Sequence, residues 1–294
     1  MTTKSYSLSL ADSRVLSYAI TSSSSSKNDT SSNPYILLSN SLCTPYPLWD
    51  NVVPRLTDLG FNVLRYDQPG HGASTAPPKD LSSTTFDSMA ADVHALLQHL
   101  DIRELHAWIG VSMGAATAVV FAAKYPGIVG KLVVCDTILS SPVNAGSADI
   151  FTSRVEAARE AGNLDATIEE TLGRWFSRDW LDGNLEERER MRGVMRGTTV
   201  DGFETCCAAL RSETFDLRRV MKMAGEGVGE ALLIVGGNDA NLPEVMEELR
   251  KGIESGLKGK GRDGVLMKVV DNAGHVPFVD GFEQFMEHVT PFLV

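Results

Sequence analysis

Short apolar runs alternate with longer amphipathic stretches from residue 35 onward. The apolar runs predict buried strands at Tyr35 to Leu38, Val63 to Tyr66, Leu105 to Ile109, Leu132 to Cys135, Leu232 to Val235 and Leu266 to Val270. The amphipathic stretches predict helices at Leu48 to Leu59, Thr85 to Leu100, Gly114 to Tyr125, Val245 to Ser255 and Phe282 to Phe292. Strands that alternate with helices are typical of an α/β fold, a mostly parallel sheet flanked by helices.

Two segments depart from this alternation before residue 35. Tyr6 to Leu10 and Arg14 to Ile20 predict the two strands of a hairpin. Thr21 to Asn33 is rich in serine, asparagine and threonine, and it buries too little apolar surface to order itself. We expect residues 21–33 to be a flexible insertion within the first part of the fold.

A third departure lies between Ser140 and Met223, where four helix-like stretches follow one another with no strand between them. They are Ile150 to Ala161, Asp165 to Phe176, Leu185 to Gly197 and Gly202 to Arg211. A helical cap inserted after one strand explains this pattern and would enclose a pocket above the edge of the sheet. The expected organisation is a core of residues 1–139 and 224–294 with a cap at 140–223.

Gly110-Val111-Ser112-Met113-Gly114 lies between a predicted strand and a predicted helix. This is the context of a G-x-S-x-G nucleophile elbow, in which small residues allow the sharp turn that exposes the serine hydroxyl. The same pattern can also be a plain turn with a serine at a helix N-terminus. The strand before it and the helix after it favour Ser112 as a nucleophile.

A serine nucleophile needs a base and a group that orients the base. His275 follows the strand-like run that ends at Val270, and Asp239 follows the run that ends at Val235, so both would reach the same sheet edge. The chain order Ser112, Asp239, His275 is the order of α/β-hydrolases. Asp136, which ends the preceding strand, is the alternative acid.

An oxyanion hole would complete this chemistry with two backbone N–H groups. The residue after the nucleophile, Met113, supplies one of them. The second is expected from the loop after the strand at Tyr35 to Leu38, where we predict the N–H of Leu42.

Composition narrows the function classes. The net charge is −11, but no block of like charges occurs, so nucleic acid and anionic membranes are not expected partners. The four cysteines have no zinc or disulfide spacing, and neither a metal nor a cofactor is predicted. No signal peptide or apolar run of membrane-spanning length is evident, so we expect a cytoplasmic protein. Nothing in the pattern indicates an oligomeric state.

These motifs resemble the α/β-hydrolase fold and, more narrowly, the 3-oxoadipate enol-lactonases. The matching segments are Asn40-Ser41-Leu42, Trp49-Asp50, Arg65-Tyr66-Asp67, Gly70 to Ser74, Gly110 to Gly114, Cys135-Asp136-Thr137, Arg174-Trp175-Phe176, Gly202-Phe203, Cys207-Ala208-Ala209 and the loops of Asp239 and His275. The resemblance implies opening of an enol-lactone without a cofactor, in the catabolism of aromatic acids. Cys43, Pro69 and Val276-Pro277-Phe278 depart from the family pattern, and they weaken the assignment of the substrate more than that of the chemistry.

The expected partner is a small lactone or ester. A lactone derived from a dicarboxylic acid carries a carboxylate, which requires a charged contact, and Arg154 and Arg174 of the cap are the candidates for it. Trp49 and Trp175 are candidate aromatic residues of the pocket. The same sequence leaves open a broader carboxylesterase, another lactonase or a C–C bond hydrolase. A ligand receptor without turnover, built on the same fold, is a further alternative.

Overall fold

A computed structural model describes residues 2–22, 33–262 and 264–294. Its strands are β1 Thr2–Ser9, β2 Val15–Ser22, β3 Tyr35–Ser39, β4 Asn62–Tyr66, β5 Leu105–Val111, β6 Val129–Cys135, β7 Glu230–Gly236 and β8 Leu266–Val270. They form a sheet in the order β1-β2-β4-β3-β5-β6-β7-β8. The pairs β1–β2 and β2–β4 are antiparallel, whereas all the pairs from β4 to β8 are parallel.

The helices cover both faces of this sheet or lie above its edge. They are α1 Val52–Asp58, α2 Phe86–His99, α3 Met113–Lys124, α4 Pro142–Ala145, α5 Phe151–Ala161, α6 Asp165–Trp175, α7 Arg178–Gly183, α8 Leu185–Met195, α9 Val200–Arg211, α10 Met221–Gly227, α11 Leu242–Gly259, α12 Pro277–Asp280 and α13 Phe282–Leu293. None of these described helices is long and apolar enough to span a membrane.

Local sequence explains where these elements begin and which faces they bury. Helix α2 begins at a capping box, in which Thr85 and Ser88 each bind the other's backbone N–H. Its buried residues Met89, Val93 and Leu96 recur at helical spacing and pack into the core. The central strand β5 is apolar along nearly its whole length because helices cover both of its faces. The predicted sheet flanked by helices is confirmed.

Two boundaries differ from the sequence prediction. Strand β2 continues to Ser22, because Thr21 pairs with Thr3 of β1 and with Val63 of β4. Residues 21 and 22 of the predicted flexible insertion are therefore strand residues, and residues 23–32 of that segment lie outside the described residues.

Helix α11 also runs further than predicted and ends at Gly259 rather than Ser255. A Cβ at Gly256 would lie 2.0 Å from the carbonyl oxygen of Lys222, so glycine is what allows α11 to pack this closely on α10. The glycine- and lysine-rich segment, predicted as a loop from Gly256, is thus partly helical.

The chain from 136 to 229, all of which is described, contains helices but no strand. We propose that these helices form the cap, which the sequence places at 140–223. The last helix, α10, packs closely on core helix α11, where a Cβ at Gly225 would meet the carbonyl of Ile253 at 2.0 Å. We therefore propose that the cap ends before Met221.

Candidate active site

Ser112 lies in the sharp turn between β5 and α3. Its φ of 53° and ψ of −117° fall in a region that residues with a Cβ rarely adopt. The backbone bonds around it hold this strained conformation, because the N–H of Ser112 donates to Cys135 at 2.8 Å and that of Gly114 donates to Asn40 at 2.9 Å. The serine is half-buried and lines a large cavity.

The glycines on either side of Ser112 are required by close backbone contacts. A Cβ at Gly110 would lie 2.7 Å from the backbone of Ala115, and one at Gly114 would lie 2.5 Å from that of Ser39. The turn is therefore wedged between the start of α3 and the end of β3, which explains the small residues two positions before and after the serine.

His275 and Asp239 are brought together by the loops after β8 and β7. The Nδ1 of His275 is 2.6 Å from the Oδ2 of Asp239, and both side chains lie largely inside the protein. Because this bond uses Nδ1, Asp239 does not engage the Nε2 atom of the imidazole. Both residues line the same cavity as Ser112, so the three residues predicted as nucleophile, base and acid share one cavity.

The loops after β7 and β8 contact each other and the end of helix α6 in the cap. The N–H of Asn238 donates to the carbonyl of Ala273, and a Cβ at Gly236 would lie 2.0 Å from the carbonyl oxygen of Gly274. The N–H of His275 donates at 3.1 Å to the carbonyl of Trp175, the last residue of α6. The position of the imidazole therefore depends on the cap as well as on the sheet.

Two further carboxyl groups lie behind this pair. Asp136 is fully buried, and its Oδ1 accepts the N–H of Gly236 at 2.8 Å. Burial, and next the charge of Asp239, raise the pKa of Asp136 well above its ordinary value. Asp280 accepts the N–H of Gly274 at 2.7 Å, and burial raises its pKa to about 6. Asp239, not Asp136, contacts the imidazole.

The two residues predicted for the oxyanion hole line the same cavity as Ser112. Leu42 and Met113 both line the cavity, and no hydrogen bond of the described residues uses the backbone N–H of either one. The neighbouring Cys43 differs, because its N–H donates at 3.1 Å to the Nε2 of His71. This commitment of the Cys43 N–H supports the choice of Leu42 as the second donor.

His71 is a residue whose position the sequence interpretation missed. It is fully buried, and its Nδ1 lies 3.0 Å from the carbonyl of Pro69, so Nδ1 carries the proton and Nε2 is free to accept from Cys43. Burial lowers the pKa of His71 to about 4. His71 is thus a neutral anchor for the loop that carries Leu42.

The cavity has a volume of about 790 Å³ and is lined by core loops and by the cap. Three arginines reach it. Arg154 forms an ion pair with Glu170, and Arg218 forms one with Asp216. Arg174 is an exposed residue of the cavity lining, and among the described residues no carboxylate forms an ion pair with it.

Of the two tryptophans predicted to contact the substrate, one lines the cavity and the other does not. Trp175 lines the cavity, with its ring centroid 5.2 Å from that of His275. Trp49 is fully buried and stacks on Phe278 at a centroid distance of 3.9 Å, outside the cavity lining. The proposed contact of Trp49 with substrate is wrong, because the stacked pair fills the core.

Comparisons with known proteins agree with this architecture. A family model described as alpha/beta hydrolase fold matches residues 34–282. The crystal structure of the enol-lactonase from Burkholderia xenovorans LB400 superposes with a TM-score of 0.81 at 27% identity, covering 98% of this chain and 99% of that one. The predicted fold class is confirmed.

Similarity in sequence points to two kinds of enzyme. The 3-oxoadipate enol-lactonase 2 of Acinetobacter baylyi is 30% identical over 177 residues, which are 60% of this chain and 62% of that enzyme. A pimeloyl-acyl-carrier-protein methyl ester esterase of Methylococcus capsulatus is 28% identical over 260 residues, covering 84% of this chain and 89% of the esterase. Both relatives break a carboxylic ester bond.

Proposed function

The chain belongs to the alpha/beta hydrolase fold family, and we propose that it is a serine hydrolase that opens a lactone or ester through an acyl-enzyme. The observation that carries this proposal is the 2.6 Å bond between His275 and Asp239 in the cavity that the strained Ser112 also lines. Among lactones, the enol-lactone of 3-oxoadipate is the first candidate, because two of the most similar proteins are enol-lactonases.

In the proposed mechanism, the hydroxyl of Ser112 attacks the carbonyl carbon while Nε2 of His275 takes its proton. Asp239, bonded to Nδ1, holds the imidazole in the required tautomer and stabilises the imidazolium. The carbonyl oxygen becomes an oxyanion and accepts the N–H groups of Leu42 and Met113.

Collapse of this intermediate then releases the leaving enolate or alkoxide, which takes the proton from His275. In a lactone the leaving group stays tethered to the acyl chain. Water, deprotonated by the same imidazole, attacks the Ser112 ester in the second half of the reaction. The second tetrahedral intermediate collapses to the free carboxylate and restores the serine hydroxyl.

Arg174 is the proposed contact for a carboxylate on the substrate, and Arg154 is its neighbour. Because Arg154 is already neutralised by Glu170, the unneutralised guanidinium of Arg174 is the group that gains an ion pair when an acid binds. The cavity lining also includes Trp175, which packs beside His275. Replacing Arg174 by alanine should raise KM for an acidic ester roughly tenfold or more and leave an uncharged ester of equal size nearly unaffected.

A broader carboxylesterase is the second candidate, favoured by a cavity of about 790 Å³, which is roomy for a small enol-lactone. The deciding experiment measures the hydrolysis of 3-oxoadipate enol-lactone by its loss of absorbance, with p-nitrophenyl acetate in parallel. Ser112→Ala should lose roughly a thousandfold or more on both compounds.

The control for that experiment is Ser147→Ala, the same change at an exposed serine of the cavity wall. It should keep near-full activity. Near-full activity of Ser112→Ala would refute the acyl-enzyme mechanism. Turnover of p-nitrophenyl acetate alone, lost in Ser112→Ala, would retain the hydrolase and reject the enol-lactone as its substrate.

A further inference from the structure

The size of the cavity is the first observation that bears on the substrate. A volume of about 790 Å³ is in the upper part of the range of roughly 300–1,000 Å³ that holds drug-sized ligands. An enol-lactone with one five-membered ring and one short acid arm occupies only a part of such a space. Most of the cavity wall is apolar, so the unfilled part would be poorly matched to water.

The order of the strands places the cavity walls on two sides of the nucleophile. Ser112 follows β5, the loop with Leu42 and Cys43 follows β3 on one side of it, and the loops after β6 and β7 lie on the other. Neighbouring strands are about 4.8 Å apart, so the walls are separated by several ångströms. We call these the β3 side and the β6/β7 side.

Two of the arginines in the cavity lining come from the cap, Arg154 from α5 and Arg174 from α6. Of the three arginines that line the cavity, Arg174 is the one that forms no ion pair with a carboxylate of the described residues, whereas Arg154 pairs with Glu170. The third arginine, Arg218, lies near the β6 loop, but the carboxylate of Asp216 neutralises it, and its remaining contacts go to Ser140 and Asn144.

Apart from Asp239, the β6/β7 side is largely apolar. Its loops contribute a set of aliphatic side chains to the cavity, which we call the apolar wall: Ile138, Leu139, Leu242 and Val245. Leu139 and Leu242 are buried, and the cap adds Phe151 and Leu210 to the lining. In the described chain, segments 137–148 and 215–219 add one charged residue to the lining, Arg218 with its partner Asp216, and the β7 loop adds Asp239.

We propose that the substrate is an amphipathic lactone or ester, with an acidic group toward Arg174 of the cap and an extended alkyl or ring group along the apolar wall. This inference rests on the proposed serine hydrolase. It differs from the enol-lactone assignment in requiring a large apolar group, whose burial contributes binding energy that a small lactone cannot supply.

A chain-length series tests the proposal. The substrates are γ-lactones with 5-alkyl groups from methyl to octyl, followed by pH-stat, and the matching straight-chain p-nitrophenyl esters, each assayed for kcat/KM. Each added methylene should raise kcat/KM about threefold until the wall is covered, since burying a methylene contributes a constant increment of transfer free energy.

A variant pair assigns the effect to the apolar wall. Val245→Asp introduces a carboxylate on the wall, in the first turn of α11 where a negative charge suits the helix. The ratio of kcat/KM for the octyl to that for the methyl substrate should fall at least tenfold. Val143→Asp, the same change at an exposed valine outside the lining, should leave that ratio unchanged.

The outcomes separate this inference from the proposed function. A flat or falling series with wild-type protein overturns the inference, and it leaves the hydrolase intact if the shortest member is cleaved in a Ser112-dependent way. An unchanged ratio in a folded Val245→Asp also overturns it. If neither series is cleaved, the inference fails, and the proposed function fails with it only if 3-oxoadipate enol-lactone is also not cleaved in a Ser112-dependent way.

Discussion

His71 and His275 lie on opposite sides of Ser112, and the same side chain has different tasks on the two sides. His71 is fully buried, and it accepts a backbone N–H from the loop after β3. His275 borders the cavity, and its Nδ1 contacts the carboxylate of Asp239. Burial without a charged partner holds the first imidazole neutral, whereas the second imidazole is oriented by a carboxylate.

The carboxylates follow the same division. On the His71 side, Asp67 accepts the N–H of Tyr46 at 2.7 Å, and burial raises its pKa to about 6. On the His275 side, Asp136 and Asp280 also accept backbone N–H groups, and only Asp239 contacts the imidazole. Location and partners, rather than residue type, distinguish a carboxylate that holds a loop from one that orients an imidazole.

The largest expected effect is that of His275→Gln. The amide fills a similar volume but cannot take the proton of Ser112, so kcat should fall by about 10⁴-fold or more. The assay is hydrolysis of p-nitrophenyl acetate. His99→Gln, at an exposed histidine near the end of α2, is the matched control and should keep full activity. A kcat of His275→Gln within tenfold of the wild-type value would show that His275 is not the base.

Asp239→Asn should have the next largest effect. The amide can bind the imidazole in the wrong tautomer, with its N–H toward Nδ1, and a loss of about 10³- to 10⁴-fold in kcat follows. The same ester assay measures it, and circular dichroism checks the fold. Retention of activity here, with loss in an Asp136 variant, would show that the acid is Asp136.

His71→Ala should act on the other side of Ser112. It removes the acceptor for the Cys43 N–H, so the loop that carries Leu42 loses its anchor, and kcat should fall roughly ten- to a hundredfold with little change in KM. His71→Gln keeps an acceptor and should recover most of that loss. Equal activity of wild type and His71→Ala would show that His71 does not anchor the loop that carries Leu42.

Acidity gives a second test of His71. Its pKa of about 4 in the folded protein lies below the ordinary 6.5, so the unfolded chain binds a proton in this interval and the folded protein does not. The stability that the neutral imidazole contributes is complete above pH 6.5 and is lost as the pH falls toward 4. Urea unfolding should show wild type losing about 2 kcal/mol relative to His71→Gln between pH 7.5 and pH 5.

Asp136→Asn should have the smallest effect. The amide is close in shape, its oxygen can accept the N–H of Gly236, and its N–H₂ can donate to Asp239, as a protonated Asp136 would. We expect kcat within about tenfold of wild type, and a larger loss for Asp136→Ala, which leaves the Gly236 N–H unsatisfied. A loss as large as that of Asp239→Asn would mean that Asp136 carries a charge in the working enzyme.

The sequence predicted the fold well where local signals and tertiary packing agree. The apolar strands and the turn around Ser112 follow from alternation and from closely placed glycines. The prediction of the end of α11 was wrong, because a glycine such as Gly256 is typical of a loop in the sequence alone. The reason for glycine at this position is the close contact with Lys222 of α10. Local sequence does not encode a partner that lies so far along the chain.

The candidate site shows the same limit. Ser112, Asp239 and His275 could be predicted because each follows a strand, and parallel strands end at a common edge. Trp49 could not be placed, since nothing local distinguishes an aromatic that lines a cavity from one stacked on Phe278. His71 was missed because its partner Cys43 lies 28 residues away. The Gly-His-Gly turn was the available signal.

The bond between the N–H of His275 and the carbonyl of Trp175 has a consequence for protein engineering. A Cβ at Gly274 would lie 1.8 Å from the same carbonyl oxygen, so the end of α6 rests directly on the loop of the imidazole. A cap transplanted from a relative to change substrate range must therefore present a carbonyl at this point. A chimaera that matches the cavity but misplaces the end of α6 would bind its new substrate and turn it over poorly.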